Sequence, residues 1–379
     1  MNPMLKFLNL AVAKKYVGKT ALVRVDLNID PDGAADNLRI DAVIPTIQLL
    51  LKHKVRVVLL SHRGRPKGID AKFSLQPFAD ILFKKLGAPV IFIQNPDFRI
   101  IKRQLQWSSR KIFLLENLRF SAGEEENDET FARALAELGD CYVNDAFAVS
   151  HRAHASVAAI TKFLPSYGGL CLEKELSSLD YVMKKPPRPF TLILGGAKVG
   201  DKLPVLDHFV KRVDYILLGS GPACTFFAAQ GLPVGHSIVD RDSIPVVKKL
   251  LKSKKIMIPD DVSMVEHKIL DIGPRAVEAY AALIKKSRTI LWNGPMGMFE
   301  KEEFAFGTRE VWKAVLAFAK AHPRSRVVVG GGETIASAKL ISNFEFLISN
   351  LRNVLISTGG GAMLEYLSGK ELPGIKALK

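Results

Sequence analysis

Six turns in this 379-residue chain carry residue types that bind anions, and they fall into two groups. In the first half, short apolar runs end in arginine and histidine: RVVLLSHRGRPKG at 56–68, IFLLENLRF at 112–120 and YVNDAFAVSHRAH at 142–154. In the second half the corresponding places carry glycine: TLILGGAKVGDK at 191–202, RVVVGGGETIAS at 326–337 and NVLISTGGGAMLEYL at 353–367. A guanidinium is a planar fork of donors that matches a phosphate or carboxylate, which lysine cannot reproduce. A glycine turn opening a helix offers backbone N–H groups to phosphate. One half therefore reads as a place for a small anionic substrate and the other as a place for a nucleotide. That division suggests a two-domain phosphotransferase.

Taken singly, the segments differ in sharpness. In VDLN (25–28), Asp26 and Asn28 point to the same side of a strand, but such a pair can equally make a turn. SHRGRPKG says more, with His62, Arg63 and Arg65 around Gly64 and Pro66 fixing the loop. HRAH (151–154) sets Arg152 between two histidines; it lacks the aspartate of a protein-kinase catalytic loop, and either histidine alone fits a structural role. GGAKVGDK places Lys198 and Lys202 four residues apart on one helical face. Asp201 follows Gly200 where a P-loop needs lysine, so this is not a Walker A motif. GSGPAC (219–224) is an incomplete dinucleotide fingerprint ending in Cys224. Three strand–glycine–helix junctions in one half, with two lysines, favour an anion site over mere close packing.

These turns need strands to hold them. Apolar runs alternate with helical patterns almost throughout, which predicts an α/β fold with mainly parallel sheets. The strand candidates are 21–27, 55–61, 89–93, 111–116 and 141–145 in the first half, then 190–195, 215–219, 255–259, 289–293, 326–331 and 354–358. Between the halves, Leu172, Leu176, Leu179 and Met183 recur at helical spacing, and the helix must stop before Pro186 and Pro187.

The length is more than two typical domains, and 48% hydrophobic with 24% charged residues describes an ordinary globular chain. The net charge of +16 invites a nucleic-acid reading, but the basic residues are spread along helix faces such as 246–255, and anionic metabolites also favour a positive field. Cys141, Cys171 and Cys224 lack metal spacing and fit a structural role in a reducing cytosol. The apolar stretch 7–13 is short for a signal peptide, Asn9 interrupts it, and nothing approaches the ~20 apolar residues of a membrane span. The expected location is cytoplasmic.

Taken together and in order, VRVDLN, SHRGRP, LLENLRF, YVNDAF, HRAHAS, LEKEL, LGGAKVGDK, DIGP, WNGPMGMFE, GGGET and STGGGA closely resemble the phosphoglycerate kinase family. The resemblance covers nearly the whole chain. It implies reversible phosphoryl transfer between 1,3-bisphosphoglycerate and Mg-ADP, giving 3-phosphoglycerate and Mg-ATP, in a monomer whose two domains close on each other. It also implies two Rossmann-like domains, a substrate domain at 1–167 and a nucleotide domain at 186–362, joined by an interdomain helix at 168–185, with a tail at 363–379 returning to the first domain.

By motif, Asp26, Asn28, Arg39, His62, Arg65, Arg119 and Arg152 match the family's phosphoglycerate site. Gly195, Gly196 and Ala197 match its adenine-side wall, and Lys198 and Lys202 its phosphate-contacting lysines. Asn293, Pro295 and Glu300 match further nucleotide positions. Gly331, Gly332, Glu333 and Thr334 lie where the family holds nucleotide phosphates and metal. Gly359, Gly360 and Gly361 open the helix that steadies the transferring group, flanked by Arg39 and Lys198. No direct Mg²⁺ ligand is assigned beyond Glu333, since the nucleotide carries most of the ion.

Some positions depart from the family pattern. Glu333 stands where Asp is usual, Ala148 and Val149 replace Gly-Thr before Arg152, Arg63 replaces Leu, Ser220 replaces Gly, and Met363 replaces Ser. Two rival readings follow, a degenerate homologue that binds nucleic acid or protein through its charge, and a kinase for another small phosphorylated acid.

Overall fold

The computed structural model describes residues 5–32, 37–184 and 186–379; residues 1–4, 33–36 and 185 lie outside the described residues, so the ends of the expected 1–167 and 168–185 segments are not followed there. Two six-stranded parallel sheets organise the chain. The first contains β1 (Thr20–Arg24), β2 (Arg56–Leu60), β3 (Val90–Ile93), β4 (Ile112–Leu115), β5 (Cys141–Asn144) and β6 (Ser166–Gly168), in the order β3-β4-β2-β1-β5-β6. The second contains β7 (Phe190–Leu194), β8 (Tyr215–Leu218) and β9 (Ile256–Met257), then, after a hairpin of β10 (Val262–Val265) and β11 (Lys268–Ile272), β12 (Thr289–Asn293), β13 (Arg326–Gly330) and β14 (Val354–Ser357). Its order is β14-β13-β12-β7-β8-β9, so sequential strands run outward from β7 in one direction and from β12 in the other. The α/β class with mainly parallel sheets is the one the sequence predicts.

Each of the eleven predicted strands is present, most ending one or two residues earlier than the apolar run. The last residues of the apolar run lie where the chain leaves the ladder for the following loop. Central strands are buried on both faces, as in Ala21, paired with Val57 and Cys141, and Leu291, paired with Leu192 and Val328. The sequence reading missed β6 and the β10–β11 hairpin. β6 is only Ser-Tyr-Gly, and it is held by β5 on one side and by residues 6–8 on the other, through Leu8 N–H to Gly168 O (2.7 Å) and Gly168 N–H to Lys6 O (2.9 Å). The hairpin is half-exposed and turns at Glu266 and His267, both in the left-handed region (φ 48° and 59°).

The chain divides into two compact units, residues 1–177 with 371–379, and residues 178–370. The boundary falls inside the helix Leu170–Met183 rather than at either end of it. Gly374 N–H donates to Ser150 O at 2.8 Å, which ties the C-terminal residues into the first unit. A large apolar core lies in each unit. That of the second is built around Trp292 and Trp312, whose ring centroids are 4.5 Å apart. All three cysteines are buried and unpaired, and burial pushes the Cys141 and Cys224 thiols up to about 12 and about 11. Among the described residues, no helix is long and apolar enough to cross a membrane.

Candidate functional site

A parallel sheet brings the C-terminal ends of its strands to one edge, outside which ligands bind. In the first unit, β1, β2, β4 and β5 run into 25–28, 61–65, 116–119 and 145–152, which together carry most of the arginine-rich set. Ser61 clamps the first two turns, its Oγ donating to Val25 O (2.9 Å) and accepting from Leu27 N–H (3.0 Å). Asn28 Oδ1 accepts from Gly64 N–H at 2.8 Å, and Arg119 Nη1 donates to Gly64 O at 2.7 Å. Asn117 Nδ2 donates to Arg63 O and Phe73 O, which fixes the turn from which Arg119 projects. Arg39 is the second residue of the helix Leu38–Lys52; its Nη1 donates to Asn28 O (3.0 Å) and lies 3.4 Å from Asp26 Oδ2. Arg63, the departure from leucine, donates to Lys72 O (2.6 Å) and so staples its own turn to the following loop.

The structure therefore brings together Asp26, Asn28, Arg39, His62 and Arg119. Arg65 sits beside them at Gly64, exposed, with no hydrogen bond or ion pair to a described residue. Arg152 Nε donates to His151 Nε2 (3.2 Å). The local electrostatics are dominated by clustered guanidinium charge. Burial, then the charges of Arg24, Arg119 and Arg152, holds His62 well below the usual histidine range. Burial and the same guanidiniums, Arg119 foremost, push His154 down to about 3. Arg119 itself falls to about 10, chiefly through burial, with Glu125 opposing from 3.1 Å. Its Nη2 is buried and has no hydrogen-bond acceptor among the described residues.

In the second unit the strand order reverses between β7 and β12, the switch point at which such sheets bind nucleotides. Both strands are followed at once by glycine, Gly195 and Gly294. Gly195 N–H donates to Asn293 O (3.0 Å) and Gly196 N–H to Pro295 O (2.7 Å). A Cβ on Gly195 would overlap the Pro295 carbonyl oxygen, and one on Gly294, whose φ of 92° already disfavours a side chain, would overlap the Gly195 carbonyl. The Asn293 side chain donates to Gly330 O (3.0 Å), and Gly294 N–H donates to Thr334 Oγ1 (2.6 Å), linking the ends of β7, β12 and β13. Gly331 leads into the short helix Gly332–Ala336, and Gly359 and Gly360 into the helix Gly361–Leu367.

The two lysines behave differently. Lys198 and its neighbour Ala197 are exposed, whereas Lys202 is buried, its Nζ donating to Lys198 O (3.1 Å). Burial, then the nearby Lys198, lowers the Lys202 pKa, while Glu333 and Asp201 oppose the shift. Glu333 Oε2 and Lys202 Nζ lie 2.9 Å and 3.4 Å from where a Gly196 Cβ would stand, so the longer carboxylate reaches the β7 turn. Ser220 takes a left-handed φ of 44° and is held by Oγ donating to Pro295 O (3.1 Å). Met363 fills the space over Gly330. Glu300 is exposed in the turn after β12.

Sequence reading missed Arg24, Glu124 and Ser156, a buried charged group behind His62. One signal was available, a charged residue in the middle of the apolar run ALVRVDL. A cavity of about 980 Å³ beside β3 and β4, lined by Phe92, Phe98, Trp107, Phe113 and Phe131 among others, contains no lysine or arginine and does not suit an anion.

Comparison with known proteins identifies the family. The family model described as phosphoglycerate kinase matches residues 12–370. Phosphoglycerate kinase of Thermomicrobium roseum is 40% identical over 390 aligned residues, covering 95% of this chain and 96% of that one. That of Herpetosiphon aurantiacus is 41% identical, covering 96% and 97%. Solved structures of phosphoglycerate kinase from Coxiella burnetii and Pyrococcus horikoshii superpose with TM-scores of 0.78 and 0.81 at 33% and 31% identity, each covering 96% of both chains. The chain belongs to the phosphoglycerate kinase family.

Proposed function

We propose that the chain transfers a phosphoryl group reversibly between 1,3-bisphosphoglycerate and Mg-ADP, giving 3-phosphoglycerate and Mg-ATP. The observation that carries this reading is the retention of both half-sites in one chain matched by the family model over 12–370. The guanidiniums of Arg39, Arg65, Arg119 and Arg152, with His62, supply the donors for a phosphorylated carboxylic acid. Asp26 and Asn28 set the Arg39 side chain and the Gly64 turn.

On the nucleotide side, Gly195, Gly196, Ala197, Asn293, Pro295 and Glu300 form the base and ribose wall in this proposal. Lys198, Lys202, Gly331, Gly332 and Thr334 face the phosphates. In this proposal the nucleotide carries the Mg²⁺ and Glu333 is the protein carboxylate that would meet it. Held there, the ion would supply positive charge to offset that of the phosphates.

The chemistry needs no covalent enzyme intermediate and no general base. A β-phosphate oxygen of ADP attacks the acyl phosphate in line, the P–O bond to the carboxylate breaks, and the carboxylate leaves as 3-phosphoglycerate. The protein's contribution is positioning and charge stabilisation. Arg39 and Lys198 flank the transferring group, and the amides of Gly359, Gly360 and Gly361 steady it. Direct transfer requires the two half-sites to meet, so closure of the two units belongs to the proposal, as do a monomeric state and a cytoplasmic location.

The test is Mg²⁺-dependent ATP consumption with 3-phosphoglycerate, trapping the acyl phosphate. Lys198→Ala, which removes a donor aimed at developing charge, is expected to lower turnover about 10²–10³-fold. Folded wild-type protein without turnover would overturn the reading.

A further inference from the structure

Arg24 ends β1 with its side chain wholly buried, a place a guanidinium tolerates only when its donors and its charge are matched. Nη1 donates to Val25 O at 2.6 Å, Nε to Ser156 Oγ at 2.8 Å, and Nη2 to His62 Nδ1 at 3.1 Å. The counter-charge is Glu124, also wholly buried, with Oε1 3.9 Å from Nη2. Glu124 accepts from Ser156 N–H (2.9 Å) and from Ser156 Oγ (2.6 Å). Ser156 thus accepts from Arg24 and donates to Glu124, and the three side chains form one closed unit behind the histidine. Glu124 also lies 3.9 Å from His154 Nδ1.

A guanidinium has donors and no acceptor. His62 Nδ1 must therefore be the acceptor in its contact with Arg24, and the ring proton sits on Nε2. An imidazolium would set an N–H and a positive charge against Nη2, which the geometry forbids. Nε2 has no hydrogen bond to a described residue, and it is not among the buried side-chain atoms left without a partner, so it is the ring atom open to a ligand.

We infer that Glu124 and Ser156 are positioning residues: by holding Arg24 against Nδ1 of His62 they lock the ring as its neutral Nε2–H tautomer, a donor for the anionic substrate that adds no charge of its own. Arginine clusters already provide the attraction. What a neutral, fixed N–H adds is a directional contact whose strength does not change with pH across the ordinary histidine range. The identity of the acid rests on the proposed function; the tautomer does not.

Long-range ¹H–¹⁵N correlation spectra of the full-length chain, with His62 assigned by His62→Gln, test this directly. The expected wild-type pattern is a protonated Nε2 and an unprotonated Nδ1, unchanged between about pH 8 and 5.5. Ser156→Ala is expected to blur the two nitrogens into exchange and to raise KM for 3-phosphoglycerate about tenfold, the order of one hydrogen bond to a charged group, with a smaller change in kcat. A wild-type His62 that titrates in that window, or protonates on Nδ1, overturns the inference; the wild-type spectrum decides this even if Ser156→Ala fails to fold. A folded Ser156→Ala with wild-type tautomer and KM overturns it as well. Failure of the proposed function looks different, with the tautomer pattern intact and no turnover on 3-phosphoglycerate.

Discussion

At the strand ends of the first unit, the groups proposed to bind anion are long side chains tied back to the protein: Arg119 to Gly64 O, Arg39 to Asn28 O, His62 to Arg24. At the strand ends of the second unit the corresponding positions are bare backbone, where Gly195 approaches Pro295 and Gly294 approaches Gly195 too closely to admit a Cβ. Both arrangements use the same platform, the C-terminal edge of a six-stranded parallel sheet. The difference suits the two ligands proposed for them. A small acid with phosphate and carboxylate groups is grasped by charge from several directions. A nucleotide lies along a surface, and its base and phosphates need backbone that can come near.

The contrast predicts where damage would appear. In the second unit a single methyl group should be felt in the fold itself. Gly195→Ala forces β7 away from Pro295 and is expected to cost about 1–3 kcal/mol of stability, the range for overpacking. Thermal or urea unfolding measures it, and a variant as stable as wild type would show that this close approach is not what shapes the turn.

A second prediction concerns pH. His62, held well below its usual range, and His154, pushed to about 3, stay neutral in the folded first unit while the unfolded chain takes up protons below about pH 6.5. Their contribution is complete above pH 6.5 and is lost as pH falls toward 4. Asp145, raised to about 6 by burial, works against them but is one group opposing two.

In the second unit burial raises Asp271 to about 7, although its carboxylate accepts from Gly307 N–H (2.7 Å) and Ile272 N–H (2.9 Å). Its folded form keeps the proton that the unfolded chain releases near pH 4, so it contributes stability that falls as pH rises through 4 to 7. His208, half-buried and lowered chiefly by burial, offsets part of that. Hydrogen exchange, corrected for intrinsic rates, should therefore show protection of β1 and β5 falling on acidification from pH 7 to 4 more steeply than that of β7 and β12. Equal slopes in the two units would break the contrast.

These features were not equally legible in the sequence. Buried parallel strands announce themselves as apolar runs, so TILWN and RVVVGG were readable at once. Ser-Tyr-Gly of β6 carries no such signal, because its strand character comes from its neighbours on both sides. In the site, residue types and order were readable, since arginine and glycine advertise their chemistry. Pairing was not. Nothing local says that Arg24 shares a proton network with Ser156, 132 residues away, or that Glu333 reaches across to the Gly196 turn. Asp271 stands in the DIGP segment, and only the folded chain reveals that Gly307 closes over it.

The most direct test of the divided site is backbone amide mapping on the intact chain with each ligand added alone. The account predicts that 3-phosphoglycerate shifts amides in 25–28, 61–65, 116–119 and 145–152 and leaves 195–202 unmoved. Mg-ADP should shift 195–202, 293–300 and 331–334 and leave the first set unmoved. If 3-phosphoglycerate alone perturbed the glycine turns, or Mg-ADP alone the arginine cluster, the assignment of one ligand to each unit would be contradicted.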